Sequence, residues 1–411
     1  MSWKEVCLGD VISTKKGFAF KSSKYVPQGI PIVRVSDFTM DSISDDDLRF
    51  YPQEEREQYK EFELREKDII VQTVGSWQNN PASVVGKVVR VPHFLDRALL
   101  NQNAVKIIPN KEIDRDYIFY RLRTDEFKGH ILGEARGAAN QASITLETIK
   151  SFRFFLPDHN TQIKIGQILS AYDNLIKNNQ KQIKLLEEAA QRLYKEWFVK
   201  LRFPNYEKCI IVDGLPKGWK MVHIFDVCET IGGGTPSTKV NEYYQDGEIR
   251  WVTPTDITRN KSLILLDSEK KITKLGLKKS SAKMVPPYTI LMTSRASIGY
   301  FAICEHKVCT NQGIISCIPY EENVRYFLLY NLMNRVEEIR QKASGSTFLE
   351  ISKKSFGELE IVLPASNVLE MFNRVNILYI KQIETFTKKI NKLMQARERL
   401  LPKLLNGEIE I

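Results

Sequence analysis

The segment 231–239, IGGGTPSTK, places three glycines ahead of Thr, Ser and Lys side chains. Glycines let a backbone come close to a phosphate, and hydroxyl and ammonium groups can donate to its oxygens. A nucleotide-binding P-loop would need glycine directly before the lysine, whereas Thr238 precedes Lys239 here. Pro236 also lacks the N–H that such a cradle uses. The segment therefore predicts either a loop that contacts a nucleic-acid backbone or a plain turn.

A second pattern resembles a metal site. Cys304, His306 and Cys309 lie close together between two strand-like runs, and Cys317 follows. A closed zinc site needs four ligands in spaced pairs, and the matching region of the first half of the chain has none. We interpret these residues as core cysteines and expect no metal site.

Two further patterns resemble parts of DNA-modifying enzymes. Pro286-Pro287-Tyr288 resembles the loop that holds a target base in amino-methyltransferases, but Val285 stands where that loop needs Asn or Asp. Glu126-Phe127-Lys128 resembles part of a nuclease motif, but it lies in a helical pattern rather than on a strand. No Ser, His and Asp arrangement can be identified either. We therefore expect no catalytic residue.

The composition favours a polyanionic partner. The 411 residues carry a net charge of +10, and 43% of them are apolar. No apolar run is long enough for a membrane span, and the N-terminal segment MSWKEVCLGD has no secretory signal. Six irregularly spaced cysteines fit a reducing compartment. We expect a cytoplasmic protein of two or three domains with no membrane partner.

The chain repeats itself. Trp3-Lys4 and Trp219-Lys220 open two similar halves. The matched segments are KKGFAFKSSKY with IGGGTPSTKVNEYY, GIPIVRVSD with GEIRWVTPTD, EKDIIVQTVGS with PPYTILMTSRAS, and LLNQNAVKIIP with CTNQGIISCIP. A repeat of this length predicts two copies of one domain.

Each half is predicted to be of the α/β (α+β) class. Apolar runs of strand length are followed by one helix per half, near 117–131 and 323–342. The predicted strands are 30–35, 69–74, 84–91 and 104–108 in the first half, and 249–253, 289–293, 300–304 and 314–318 in the second.

Each half also ends in a long helix with apolar residues at alternating intervals of four and three, which is the seam of a coiled coil. The second seam repeats the first 207 residues later. Two such helices pair most simply with each other, and an antiparallel pair of about 40 residues would form a rod about 60 Å long. The polar seam residue Asn179 would fix the register of pairing. The predicted seam residues are Ile176, Asn179, Ile183, Leu186, Leu193 and Trp197, with Ile383, Phe386, Ile390, Leu393, Leu400 and Leu404.

The whole chain resembles the specificity (S) subunits of type I restriction–modification systems. The resemblance rests on the two Trp-Lys openings, on GFAFKSSKY and GGGTPSTK, on the linker LPKGWK and on the ending RERLLPKLLNGEI. Its most specific part is the central LSAYDNLIKNNQKQIKLLEEAAQRLYKEWFVKLRFP.

The resemblance implies two target-recognition domains, each of which reads one half of a bipartite double-stranded DNA sequence. The coiled coil would set the gap and dock two methyltransferase subunits. Those subunits would bring S-adenosylmethionine, and restriction subunits would bring ATP-driven translocation and cleavage, so this chain would bind no cofactor. The implied divisions are 1–158 for the first recognition domain, 159–200 for the first helix, 201–217 for a linker, 218–364 for the second recognition domain, 365–405 for the second helix and 406–411 for a tail.

On this interpretation, the glycine segments and the loops that follow the strands contact DNA. The predicted DNA-contacting residues are Lys15, Lys16, Lys21, Ser22, Ser36, Thr73, Ser76, Gln78, Asn101, Arg136 and Asn140 in the first half, and Thr235, Ser237, Lys239, Thr255, Ser294, Arg295, Ser297, Asn311 and Ser346 in the second.

Three alternatives stay open among these residues. Arg295 could donate two hydrogen bonds to guanine O6 and N7, or it could form a surface ion pair. The first half has Thr73-Val74-Gly75-Ser76-Trp77-Gln78 at the matching place and lacks the arginine, so the halves should read different bases. The amides of Asn101-Gln102-Asn103 and Asn311-Gln312 could bond to adenine, or they could cap backbone groups of a structural loop. The small-residue loops 136–141 and 344–347 could contact DNA or only form turns.

Two rival functions also remain. One is a self-sufficient DNA-modifying enzyme that carries two recognition domains. The absence from the sequence of a glycine-rich methyl-donor loop followed by a base-holding loop argues against it. The other is a coiled-coil scaffold that binds only protein, which salt-dependent duplex binding would exclude.

Overall fold

The computed structural model describes residues 3–39, 42–77, 84–137, 141–345 and 348–411. The chain divides into two compact units. The first unit comprises Met1–Asn174 and Met394–Ile411, and the second comprises Leu175–Leu393. Each unit therefore contains one predicted recognition domain and part of each long helix.

The first unit is built on an antiparallel four-stranded sheet in the order β2-β9-β5-β7. A three-stranded sheet in the order β4-β3-β8 lies in the same unit, with β3 parallel to β8. Strand β1 pairs with β11. The strands are β1 (Lys4–Cys7), β2 (Ile12–Lys16), β3 (Ile30–Val33), β4 (Arg49–Tyr51), β5 (Ile69–Gln72), β6 (Val74–Gly75), β7 (Val88–Arg90), β8 (Leu99–Leu100), β9 (Ala104–Pro109), β10 (Ala142–Ser143) and β11 (Arg153–Leu156). The short helices are α1 (Leu8–Val11), α2 (Arg115–Arg121), α3 (Asp125–Glu134) and α4 (Leu146–Lys150).

The second unit repeats this arrangement. Its main sheet has the order β15-β22-β19-β20, its second sheet contains the parallel pair β16 and β21, and β14 pairs with β23. The strands are β12 (Ile211–Val212), β13 (Leu215–Pro216), β14 (Lys220–His223), β15 (Cys228–Gly232), β16 (Ile249–Val252), β17 (Lys271–Ile272), β18 (Met284–Val285), β19 (Ile290–Thr293), β20 (Phe301–Ile303), β21 (Val308–Thr310), β22 (Ile314–Pro319) and β23 (Glu360–Leu363). The short helices are α6 (Ile224–Val227), α7 (Pro254–Arg259), α8 (Lys274–Lys278), α9 (Arg325–Asn334), α10 (Val336–Gln341) and α11 (Lys353–Gly357).

The central strands explain why the apolar runs fold in this way. All four residues of β5 and all four of β19 are buried. A strand that is covered on both faces needs a continuous apolar run rather than an alternating one. Each fully buried Ile, Leu or Val side chain contributes about 1.5–3 kcal/mol through removal from water. These strands therefore form the rigid base from which the loops of each unit project.

The single helix that was predicted in each half is wrong in detail, because two shorter helices stand in its place. In the first unit, α2 ends at Arg121 and α3 begins at Asp125. Thr124 caps α3, because its hydroxyl accepts a hydrogen bond from the N–H of Phe127 at 3.3 Å. In the second unit, the break between α9 and α10 falls at Arg335, whose side chain bonds to Glu338. Apolar periodicity alone predicts one continuous helix in each half, whereas local capping and ion pairing divide it into two.

The two long helices are α5 (His159–Tyr194), which continues as a π-helix over Lys195–Val199, and α12 (Ser366–Leu405). In the first unit, Ile165 and Leu169 of α5 share a core with Leu401 and Leu404 of α12. In the second unit, the late part of α5 shares a core with the early part of α12. The pairing is therefore antiparallel, and all twelve predicted seam residues are buried or half-buried. Over the described ranges, none of the helices has the length and apolar composition of a membrane span.

Candidate nucleic-acid interface

In the second unit, the loops at one end of the main sheet enclose an open pocket. We call this region the second loop cluster: residues 233–239, 254–258, 294–297, 311–313, 344–345 and 348–350. Its pocket brings together the predicted residues Thr255, Arg295, Ser297 and Asn311, which lie in three separate parts of the sequence. Hydroxyl, amide and guanidinium groups thus line one surface, which is the chemistry needed to hydrogen-bond base edges and phosphates.

Arg295 is held at the rim of this pocket. Its side chain is 43% exposed, its Nε lies 3.7 Å from a carboxylate oxygen of Glu350, and its guanidinium carbon lies 5.7 Å from the ring centre of Phe348. The next residue, Ala296, donates its N–H to the carbonyl of Leu349 at 2.9 Å. The backbone position is therefore fixed by strand-like pairing, while the long, exposed ion pair leaves the guanidinium available to a ligand.

The glycines of the segment 231–239 pack against other loops of the second unit. A Cβ on Gly233 would lie 2.2 Å from the carbonyl oxygen of Asn311, and one on Gly234 would lie 2.4 Å from the backbone nitrogen of Ala282. Trp251 also donates its indole N–H to the carbonyl of Gly234 at 2.9 Å. These two glycines are thus required by close packing inside the unit rather than by approach to a phosphate.

The residues after the glycines do face outward. Thr235, Ser237 and Lys239 are exposed, whereas Pro236 between them is buried. The Thr235 hydroxyl donates to the Oε1 atom of Gln312. The segment therefore combines a buried glycine turn with an exposed polar edge, so each of the two sequence interpretations describes part of it.

Asn311 and Thr255 are positioned by local hydrogen bonds. The Oδ1 atom of Asn311 accepts from the N–H of Gly313 at 2.6 Å, which is the capping role considered above. Thr255 is exposed in the first turn of α7, where Thr253 and Asp256 form a capping box. The amide nitrogen of Asn311 is the group that could still donate to a ligand.

The first unit has a corresponding first loop cluster: residues 15–22, 34–37, 73–77, 101–103, 136–137 and 141–143. A Cβ on Gly17 would lie 2.0 Å from the carbonyl oxygen of Asn101, just as a Cβ on Gly233 would lie 2.2 Å from that of Asn311. In both units the glycine turn and the asparagine loop therefore pack against each other. Asn101 is half-buried in this contact.

The predicted cations of the first unit differ in their surroundings. Lys15 forms an ion pair with Glu61, and its Nζ lies 4.9 Å from the ring centre of Phe62. Lys16, Lys21 and Arg136 are exposed. Lys15 is therefore the most constrained of the four as a phosphate ligand.

A family model described as the type I restriction modification DNA specificity domain matches residues 1–188 and 216–396. The chain belongs to this family. The two matches follow the internal repeat, so this specificity-family chain carries two target-recognition domains.

Individual relatives agree with the assignment. The MjaIX type I specificity subunit of Methanocaldococcus jannaschii is 33% identical over 201 residues, which make up 48% of this chain and 46% of that protein. The HindI type I specificity subunit of Haemophilus influenzae is 24% identical over 389 residues, covering 79% of this chain and 84% of that protein. The match thus spans about half of the first relative and most of the second.

The fold of a solved S subunit is also similar. The crystal structure of the type I restriction–modification S subunit from M. genitalium aligns with a TM-score of 0.58 at 16% identity, over 98% of this chain and 96% of that one. The predicted α/β (α+β) class with two similar copies and two long antiparallel helices is confirmed.

Two predicted DNA contacts are buried in the structure. Thr73 is 5% exposed and Ser294 is 2% exposed. Their N–H groups donate to the carbonyls of Asn103 and Gly313, so both residues are part of the sheet ends.

The remaining predictions are placed as follows. Ser22, Ser36 and Ser297 are exposed, and the Ser36 hydroxyl donates to the carboxylate of Asp37 at 3.1 Å. Ser76 is half-buried in a bridge with Val84. The predicted residues Gln78, Asn140 and Ser346 lie outside the described residues.

Sequence reasoning missed two residues that line the second pocket, Thr258 and Phe348. Gln312, which the sequence offers beside Asn311 as an amide suited to adenine, lines the same pocket. No sequence signal indicates Phe348, because it comes close to Arg295 only through the pairing of two distant loops. Within the part of the chain that the structure describes, no group of three or more His, Cys, Asp or Glu side chains is placed to hold a metal ion.

Proposed function

We propose that each unit reads one half of a bipartite double-stranded DNA target through its loop cluster. The observation that carries this proposal is the pocket of the second loop cluster, where Arg295, Asn311, Gln312 and Thr255 converge from three separate segments of the chain. Arginine can bond to both guanine acceptors in the major groove, and side-chain amides suit adenine. The exposed Lys16, Lys21 and Lys239 would add contacts to phosphates.

The two loop clusters would read different sequences. The second has Arg295 two residues after β19, and the first has Val74 two residues after β5. The backbone pairing of these two residues is equivalent, since Ser143 pairs with Val74 and Glu350 pairs with Arg295. A shared scaffold with different side chains supports a target made of two unlike halves.

The chain would act without chemistry of its own. The relatives are named specificity subunits of type I restriction enzymes. By analogy, two methyltransferase subunits would dock on the long helices and bring S-adenosylmethionine and the reaction. Restriction and translocase subunits would join through the assembled complex. The alternative of a self-sufficient modifying enzyme predicts methyl transfer by the purified chain alone.

Selection from a pool of random duplexes tests the reading of DNA. The full chain is incubated with the pool at moderate salt, and the bound duplexes are sequenced. The proposal predicts two short sequence blocks at a constant separation. A single block, or binding that is unchanged across salt concentrations, would contradict it. Mapping of methylated bases in DNA treated with the chain and its methyltransferase should give the same two blocks.

The long helices would set the separation between the blocks. One heptad added to each helix lengthens the pair by about 10.5 Å, or roughly 3 bp, and rotates one half-site by about 100° around the duplex. Specific binding should then be weak. Three heptads add about 31.5 Å, close to one turn of DNA, and binding should return on targets with a gap about 9–10 bp longer. If folded insertion variants keep the original gap, the helices do not set it.

A further inference from the structure

The seam of the first unit contains a buried ion pair. Arg397 of α12 is 3% exposed, and its Nη1 donates to a carboxylate oxygen of Asp173 on α5. The other oxygen of Asp173 accepts from the hydroxyl of Tyr120 at 2.5 Å. Arg397 also donates to Glu398 at 2.8 Å. In this pairing of α5 with α12, both buried charges therefore have partners.

The second unit has apolar residues at the equivalent places. Since α12 repeats α5 after 207 residues, Asp173 corresponds to Ile380 and Arg397 corresponds to Ala190. Ile380 is 1% exposed, Ala190 is fully buried, and both belong to the same core. Helix α5 thus presents Asp and Ala at these two seam positions, and α12 presents Ile and Arg.

This distribution discriminates between partners. If α5 paired in the same antiparallel register with α5 of a second copy, Asp173 of each chain would meet Ala190 of the other. The pair would bury two carboxylates without the guanidinium of Arg397, and each would keep only the Tyr120 hydroxyl and the charge of Arg90 from its own chain. Two α12 helices would likewise bury two guanidinium groups against Ile380, each with only the exposed Glu398 of its own helix as a partner. A buried charge without its partner is strongly unfavourable, whereas the pairing of α5 with α12 leaves none.

We propose that Asp173 and Arg397 form a pairing lock, which directs α5 to pair with α12 and excludes a second copy of the same helix. Apolar seams alone would discriminate weakly, because both helices have the same heptad phase and similar length. A single complementary charge pair makes the two repeats differ at two seam positions, so only the pairing of α5 with α12 brings the opposite charges together. The lock is independent of DNA recognition, so it stands or falls separately from the proposed function.

The test uses the full chain, cut only after it has folded. A protease site is inserted at the turn Asp213-Gly214 between β12 and β13, where both residues are exposed. After cleavage, native mass spectrometry separates three species by mass: the mixed pair of halves, the pair of first halves and the pair of second halves. The wild-type chain should remain the mixed pair after prolonged incubation.

Two variants test the charges. D173I/R397A gives the first unit the residues of the second, so self-pairing no longer buries a charge. We expect the ratio of self-paired to mixed halves to rise at least about 100-fold. D173E/R397K is the matched control, because it disturbs the same packing but keeps the charges on the same helices. This control should remain the mixed pair.

Thermal unfolding checks that each variant is folded before cleavage. If D173I/R397A does not fold, D173N/R397Q removes the charges while keeping the side-chain shapes, and the same rise is expected. The proposal is overturned if the cut wild-type chain already exchanges to a statistical mixture. It is also overturned if the neutral variant stays mixed, or if the control exchanges as much as the neutral variant.

Discussion

Tyr120 in α2 and Tyr330 in α9 occupy equivalent positions in the two units, yet their hydroxyl groups have different surroundings. The Tyr120 hydroxyl donates to Asp173 at 2.5 Å. The Tyr330 hydroxyl is buried and has no hydrogen-bond partner among the described residues. Burial raises the pKa of both phenols, and the nearby Asp173 charge adds to this effect for Tyr120.

The difference extends beyond one tyrosine. The guanidinium carbon of Arg90 in β7 lies 3.8 Å from the ring centre of Phe119, and its Nη2 lies 2.9 Å from a carboxylate oxygen of Asp116. The equivalent residue in β20 is Ile303. The first unit thus has a charged network where the second has an apolar core. One backbone arrangement accepts both, provided that every buried charge finds a partner. Repetition of a fold therefore does not require repetition of its interior chemistry.

The loop clusters show the same principle on the surface. Equivalent backbone pairings carry Val74 in one unit, opposite Ser143, and Arg295 in the other, opposite Glu350. We infer that differences inside the units select which helices pair, and that differences in the loops select which bases are read. Four sets of substitutions separate these two roles.

The largest effect is expected for Asp173→Ala. It would leave Arg397 buried without its main partner, at a cost of about 3–5 kcal/mol. Hydrogen exchange of the α5 amides in 159–174 should accelerate, while the second unit keeps its protection. Glu398→Ala removes the exposed partner of Arg397 and serves as the control, with an expected loss below about 1 kcal/mol. Equal losses of unfolding free energy in the two variants would show that Asp173 stabilises Arg397 no more than Glu398 does.

Arg295→Ala should weaken binding of the preferred DNA by about 1–3 kcal/mol and relax one base position in the half-site of the second unit. The half-site of the first unit should keep its preference. Arg295→Lys keeps the charge but loses the bidentate donor geometry of the guanidinium, so it should relax the same base position. The measurement is sequencing of selected duplexes, and an unchanged preference in both variants would reject the assignment.

Tyr120→Phe should destabilise the first unit by about 1–2 kcal/mol, because the hydroxyl donates to a carboxylate. Tyr330→Phe removes a hydroxyl that has no partner within the described ranges, so it should leave the second unit as stable or slightly more stable. Denaturant unfolding followed by hydrogen exchange compares the two. A larger loss of unfolding free energy for Tyr330→Phe than for Tyr120→Phe would contradict this prediction.

The smallest effect is expected for lysines on the surface. Lys239→Ala should weaken binding to all duplexes alike and reduce the salt dependence by about one ion. Lys15→Ala should change it less, since Lys15 is already paired with Glu61. Titrations at several salt concentrations measure both slopes. Loss of base preference in Lys239→Ala would place this residue on a base rather than on a phosphate.

Much of the architecture follows from local pattern. Continuous apolar runs predicted β5 and β19, and the seven-residue seam predicted α5 and α12 to within a few residues. These features depend on periodicity and on burial of whole faces, which a sequence displays directly. The repeat then related one half to the other without any knowledge of contacts.

Other features depend on which distant residues meet. Thr73 and Ser294 look like exposed loop residues in the sequence but are buried at the ends of the sheets. Gly233 must be glycine because the carbonyl of Asn311 lies against it, and that contact joins loops far apart in the chain. The sequence marks Arg397 as a polar interruption of the seam, but the antiparallel pairing alone brings it to Asp173. Periodicity shows which face of an element is buried, whereas the partner across that face is decided by the tertiary fold.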